Sequence, residues 1–287
     1  MKSFTANSIR AALTASTLLI CATAMSATEK PPIVLVHGAW ETAAIWQGVE
    51  ARLKTDGYRV TVVSLPGRPG APETTGPVSL DLYRDAVISA LKASKQPAVV
   101  VGHSFGGFPI SAAADAAPER VRTLVYVAAY LPTNQQTLLE LGNSDKESKI
   151  GPHLQVMKEK GIISVERGAR ADLFCNDCTP QIRAAISDAI VDEPLEPLVT
   201  PIHLAGERFA LIDKVYIHTA KDQVVSPWLQ VEMLKQTPVR LELTENTGHT
   251  PFLTDPNGLA KNIELAAVCR PDGAGGFVKV EMREDPC

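Results

Sequence analysis

Short apolar runs separated by amphipathic stretches set the rhythm of the first half of the chain. Ile33-Val34-Leu35-Val36 and Ala98-Val99-Val100-Val101 are wholly apolar, as strands buried on both faces require, and the stretches Arg59 to Leu65 and Val121 to Ala129 are also rich in β-branched residues and read as strands. Between them, Ala43 to Thr55 places Ile45, Val49 and Leu53 on one helical face, and Gly57 stops it. Arg68 to Val78, rich in proline and glycine, reads as a loop. Ser79 or Asp81 then caps a helix reaching about Ser94, with Leu82, Val87, Ile88 and Leu91 inward. Strands alternating with such helices predict an α/β fold: a mostly parallel sheet covered on both faces, joined by right-handed crossovers.

From Thr133 to Phe209 the rhythm breaks. Leu154 to Lys160 and Pro180 to Val191 read as helical patches among polar residues and the prolines Pro194, Pro197 and Pro201, with no convincing strand. This stretch, 133–209, is expected to be an insertion that caps the sheet, with a small independent helical domain as the alternative. The rhythm resumes with strand Lys214 to Thr219, helix Pro227 to Gln236, strand Val239 to Leu243 and a helix from about Asn257 to Cys269. In the tail, 271–287, the alternation of Phe277 to Met282 suggests an edge strand or hairpin arm.

Gly102-His103-Ser104-Phe105-Gly106-Gly107 stands between an apolar strand and a helix of small residues, Gly107 to Ala117. Gly-x-Ser-x-Gly in that context is a nucleophile elbow, a tight strand-to-helix turn that exposes a serine hydroxyl at the sheet edge. The glycines avoid collisions with the neighbouring strand and helix. The helix N-terminus favours developing negative charge.

A serine hydroxyl needs a base, and near neutral pH that is histidine, oriented by a buried carboxylate. In this architecture the acid and the histidine follow the serine in chain order, each on a loop after a late strand. Asp222 lies just past Lys214–Thr219, and His249 just past Val239–Leu243. The expected catalytic residues are therefore Ser104 as nucleophile, His249 as general base then acid, and Asp222 as orienting carboxylate. The oxyanion would be held by the N–H groups of Phe105, after the nucleophile, and of Ala39, in the turn after the first strand. The other histidines rank lower: His37 suits a packing or hydrogen-bonding role, His103 is the variable residue of the elbow, His153 and His203 lie in the insertion, and His218 lies within a strand. Among rival acids, Glu245, Asp177, Asp188 and Asp192 read as surface charges and Asp255 as a helix cap. Phe174 and Leu211 are expected to line the pocket.

The chain has 287 residues, 45% hydrophobic and 21% charged, with a net charge of −4. That is enough apolar content for one large core. With no basic cluster, nucleic acid is not expected as a partner. Lys2 and Arg10 precede an apolar run, Ala11 to Ala22, and small residues follow it. Residues 1–27 thus read as a cleavable signal peptide; cleavage after Ala24 or Ala27 fits, with Ala27 favoured, and an uncleaved anchor is the alternative. Ile20 before Cys21 argues against a lipoprotein site. No later stretch is long and apolar enough to span a bilayer, so the expected location is the periplasm or medium of a bacterium. Cys175, Cys178, Cys269 and Cys287 remain, an even number that suits an oxidising compartment. The local pairings Cys175–Cys178 and Cys269–Cys287 are favoured. The first pair lacks a thioredoxin-like setting or zinc-ligand spacing, so no metal and no other cofactor is expected.

His37-Gly38-Ala39-Trp40 with Trp46 downstream, the elbow, Val125-Tyr126-Val127-Ala128-Ala129, Lys214-Val215-Tyr216-Ile217 and Asp222 together resemble the α/β-hydrolases. The resemblance is to the branch holding plant methyl esterases, hydroxynitrile lyases and bacterial esterases, including pyrethroid hydrolases. It covers Ile33 to Pro132 well and Phe209 to about Ile263 moderately. It implies an α/β-hydrolase fold with a helical cap and carries the triad onto Ser104, Asp222 and His249. The lyases of that branch have threonine after the first-strand histidine and lysine after the catalytic histidine; here Gly38 and Thr250 stand there. The resemblance therefore implies a carboxylic-ester hydrolase acting on a small-molecule ester. A lyase on the same fold and a non-catalytic binding protein are the alternatives.

Overall fold

The computed structural model describes residues 29–74, 76–205 and 207–269, and the backbone of Val278–Lys279. The expected leader, 1–27, and the partner expected for Cys269, Cys287, lie outside the described residues. Cys269 is nevertheless disulfide-bonded.

In chain order the strands are β1 (Ile33–Val36), β2 (Val60–Val63), β3 (Ala98–His103), β4 (Val121–Val127), β5 (Leu154–Met157), β6 (Ile162–Val165), β7 (Glu193–Pro194), β8 (Lys214–Thr219), β9 (Leu241–Glu245) and β10 (Val278–Lys279). Seven form one sheet in the order β10-β9-β8-β4-β3-β1-β2, parallel at every pairing. The expected edge strand in the tail is thus the short β10, beside β9.

The two-residue period of the strands divides the core. On one face Val34, Val36, Val100, Leu124 and Tyr126 meet Tyr83, Val87 and Leu91 of helix Leu80–Lys92 and Phe108 and Ile110 of helix Gly107–Ala116. On the other, Ile33, Leu35, Val99, Val101, Val125 and Val127 meet Val49 and Leu53 of helix Gln47–Thr55 and Leu259 and Ile263 of helix Pro256–Val268. Each fully buried side chain of this size contributes roughly 1.5–3 kcal/mol. The sheet is the rigid frame, and its C-terminal edge carries the elbow.

The insertion differs from the expectation of a helical cap. It has helices, among them Leu138–Ser144 and Pro180–Ala189, but also a three-stranded antiparallel sheet, β5-β6-β7. Leu154 to Lys160, expected to be helical, is strand β5 and a tight 3₁₀ turn. The cause is local: Gly161, at φ 63°, supplies the left-handed residue that reverses the chain, and Met157 pairs with Ile162. The β-branched Ile162, Ile163 and Val165 favour a strand, and the last two are buried. Helix Leu138–Ser144 begins with a complete capping box between Thr137 and Glu140.

Candidate active site

The elbow is as tight as its sequence suggests. β3 ends at His103, Ser104 opens a 3₁₀ turn, and helix Gly107–Ala116 follows. Ser104 has φ 53°, a left-handed conformation that costs a residue with a Cβ and recurs at functional sites. A Cβ at Gly102 would stand 2.7 Å from the Gly106 carbonyl oxygen, and one at Gly106 would stand 2.8 Å from that of His37. The serine lies against the first loop, because a Cβ on Gly38 would be 2.8 Å from Ser104 Cβ.

Asp222 and His249 meet, as their loops predict. His249 Nδ1 is 2.8 Å from Asp222 Oδ2, with both side chains fully buried. Asp222 Oδ2 also accepts from Thr219 Oγ1 at 2.8 Å, and its Oδ1 accepts from the N–H groups of Val224 and Val225 at 2.8 and 3.0 Å. A carboxylate saturated in this way fixes the imidazole tautomer. Nδ1 carries the proton, so Nε2 presents a lone pair. Nε2 is buried and has no hydrogen-bond partner; the bond to Ser104 Oγ is not formed in this state. Serine and imidazole are linked through the neighbouring His103, whose Nε2 donates to the His249 carbonyl at 2.8 Å and whose ring centroid is 4.6 Å from that of His249.

Of the two expected oxyanion donors, Phe105 N–H lies in the first turn after β3, where amides lack intrahelical acceptors. In the first loop Gly38 N–H is engaged by Glu41 Oε2 at 2.7 Å, which leaves Ala39 as the next amide along the turn.

Glu41 went unnoticed in the sequence. It is buried, and its Oε2 lies 2.9 Å from His103 Nδ1. Because His103 Nε2 already donates to a carbonyl, a proton on Nδ1 makes this an imidazolium–carboxylate pair. Burial opposes the charge on each group, but the partner's charge and the hydrogen bond prevail, holding the Glu41 carboxyl below and the His103 imidazole above its ordinary pKa. The pair bridges the first loop, the elbow and the histidine loop. Glu193, from β7, is another buried acid. It forms an ion pair with Arg68, and its Oε2 accepts from Trp40 N–H at 2.9 Å. The Trp40 carbonyl accepts from Val191 N–H and its indole Nε1 donates to the Ile163 carbonyl, both at 2.9 Å. The insertion thereby grips Trp40, which stands at φ 60°, by every polar group it has.

His37 has the packing and hydrogen-bonding role expected. Its Nε2 accepts from Leu65 N–H, its Nδ1 donates to the Gly38 carbonyl, and burial, with the charge of Arg68, pushes its pKa down to about 3. Asp255 caps helix Pro256–Val268, as expected. Other expectations are corrected. Glu245 is buried rather than a surface charge and accepts from Asn262 Nδ2 at 2.7 Å. Asp177 accepts from Gly248 N–H, beside His249. Leu211 is 87% exposed, whereas Phe174 is buried edge-on to His249, its ring centroid 5.7 Å from the imidazole's. A cavity of about 240 Å³ adjoins the first loop, lined by Trp40, Tyr130, Leu138, Leu139, Ile150 and Leu154 among others.

A profile described as the alpha/beta hydrolase family matches residues 33–262. An Arabidopsis thaliana protein named as chloroplastic methylesterase 13 is 26% identical over 82% of this chain; the chain spans only 55% of that relative's length. A pyrethroid hydrolase of Sphingobium wenxiniae is 26% identical over 80% of this chain and 85% of its own. Among solved structures, a pyrethroid hydrolase from Sphingobium faniae superposes with a TM-score of 0.74 at 25% identity, covering 83% of this chain and 98% of that one.

Proposed function

The chain belongs to the alpha/beta hydrolase family, and from that premise we propose that it is a serine carboxylic-ester hydrolase working through an acyl-enzyme. The observation that carries the proposal is the buried His249 Nδ1–Asp222 contact of 2.8 Å, which leaves Nε2 free as a base beside an elbow whose serine stands at φ 53°. The relatives named as a methylesterase and a pyrethroid hydrolase support ester chemistry.

In the proposed reaction Ser104 Oγ attacks the ester carbonyl while His249 Nε2 takes its proton. Asp222 holds the Nδ1–H and stabilises the imidazolium. The Ala39 and Phe105 N–H groups hold the oxyanion, each such donor being worth about 2.7–4 kcal/mol in enzymes of this kind. The alcohol leaves with the proton from Nε2, and a water deprotonated by His249 releases the acid. The apolar lining near the first loop suits small or medium apolar or aromatic esters. Export belongs to the same proposal; its support is the Cys175–Cys178 disulfide, which favours an oxidising compartment.

A panel of p-nitrophenyl esters differing in acyl size, with a mandelonitrile-type substrate alongside, tests the reading. The expected result is acid release from esters, abolished in a folded Ser104→Ala variant, and no cyanide release. Cyanide release without ester cleavage would replace the hydrolase with a lyase.

A further inference from the structure

The tetrapeptide Cys175-Asn176-Asp177-Cys178, in the insertion, is closed on itself by a disulfide. It touches both late loops of the site. Asn176 Nδ2 donates to the Lys221 carbonyl at 2.9 Å, one residue before Asp222. Asp177 Oδ2 accepts from Gly248 N–H at 2.8 Å, one residue before His249. On the other side of His249, Thr250 Oγ1 donates to the Phe174 carbonyl at 2.5 Å and lies 3.7 Å from Cys175 Sγ. These partners are 45, 71 and about 75 residues away in the chain, so no local preference makes the contacts. The loop itself is anchored by Arg183, whose Nη1 donates to the Cys175 and Ala171 carbonyls.

Gly248 supplies an independent observation. A Cβ there would collide with Asn176 Oδ1 and stand 2.8 Å from Asp177 Oδ1. The disulfide loop thus lies directly against the residue before His249.

We propose that the disulfide-closed loop Cys175–Cys178 is a positioning clamp that sets the distance and angle between the acid and base loops, with Asp177 and Asn176 as its jaws. Resting on the triad reading given above, it adds residues that touch neither substrate nor reacting atoms. Without the disulfide, Asn176 and Asp177 regain backbone freedom, and each hydrogen bond to the catalytic loops must then be made against that entropy. A misplacement of about 1 Å at the reacting centre costs up to about 100-fold in rate. Cys178 is partly exposed, so a reductant can reach the bond.

The test uses the full chain and p-nitrophenyl acetate, with circular dichroism to establish folding. In Asp177→Ala and in Cys175→Ser/Cys178→Ser, kcat is expected to fall between about tenfold and about 100-fold, while KM moves much less. Asp177→Asn keeps an acceptor for Gly248 N–H and is expected to restore kcat. The low-field proton resonance of His249 Nδ1–H should broaden or vanish in Asp177→Ala and persist in Asp177→Asn. Should Asp177→Ala fail to fold, reduction of the Cys175–Cys178 disulfide with dithiothreitol, compared between wild type and a Cys269→Ser variant that lacks the second disulfide, gives the same readouts and the same expectation. Folded or reduced protein with unchanged kcat and an unchanged resonance would overturn the clamp, as would equal losses in Asp177→Ala and Asp177→Asn. Ser104→Ala, run alongside, separates the two levels: full activity there overturns the hydrolase reading, whereas its loss beside an unimpaired Asp177→Ala overturns only the clamp.

Discussion

The parallel sheet and the insertion between β4 and β8 solve the same problem by different means. In the sheet, the five- to seven-residue strands β3, β4, β8 and β9 lock the elbow and the loops after β8 and β9 by backbone pairing. Lys221 N–H, for instance, bonds to the Thr247 carbonyl at 2.9 Å, extending the ladder of β8 and β9 into the loops that bear Asp222 and His249. The insertion has short elements and only two- to four-residue strands. It reaches the same loops with single polar side chains: Glu193 on Trp40, Asp177 on Gly248, Asn176 on Lys221. The sheet makes the constellation possible, and the insertion adjusts it. Away from the reacting groups, substitutions in the frame should therefore cost stability, and substitutions in the jaws of the insertion should cost rate.

Different substitutions sharpen or break this contrast. The largest effect is expected at the frame's edge: Ser104→Ala should lower ester turnover by at least about 10⁴-fold with an unchanged melting curve, read by initial rates and calorimetry. Glu41→Gln, which strands His103, should cost about 3–5 kcal/mol by urea unfolding between pH 4.5 and 6.5. The pH dependence has a definite sign. Glu41, held below its ordinary 4.5, contributes stability that is present above pH 4.5 and lost as pH falls through its folded value. His103, held above 6.5, contributes stability that is complete below pH 6.5 and lost as pH rises through its folded value. The gap between wild type and Glu41→Gln should therefore be widest between pH 4.5 and 6.5 and narrow on both sides. A gap that grows steadily into acid would show that the pair is not charged.

Matched deletions of one methylene compare the two regions directly. Ile217→Val in β8 and Ile163→Val in β6 each remove packing from a buried site and should each cost about 0.5–1.5 kcal/mol. A negligible cost at Ile163 alone would mean that the insertion is loosely seated. Leu211→Ser, at an exposed position, should change stability by no more than about 0.5 kcal/mol and leave ester KM unaltered.

The same contrast explains what could be read beforehand. The strands, the helices around them, the elbow and the placement of Asp222 and His249 were legible because apolar periodicity and glycine spacing report burial and close approach directly. β5 and β6 were missed because their hairpin depends on one left-handed residue, Gly161, and on a short β-branched run. Glu41, Asp177 and Glu245 resisted for another reason. Periodicity says which apolar residues go inside, but a charged residue goes inside only when a partner waits for it, and those partners lie far along the chain: His103 is 62 residues from Glu41, and Gly248 is 71 from Asp177. Gly248, directly before the histidine, was the one local trace of such a contact.

The central claim is a covalent one, and trapping tests it most directly. Wild type, mixed with excess p-nitrophenyl acetate, quenched in acid during the first turnovers and digested, should show one acetyl group by peptide mass spectrometry, on Ser104, and His249→Ala should acquire it far more slowly. An acetyl group on a different residue, or none while acid is still released, would contradict the account.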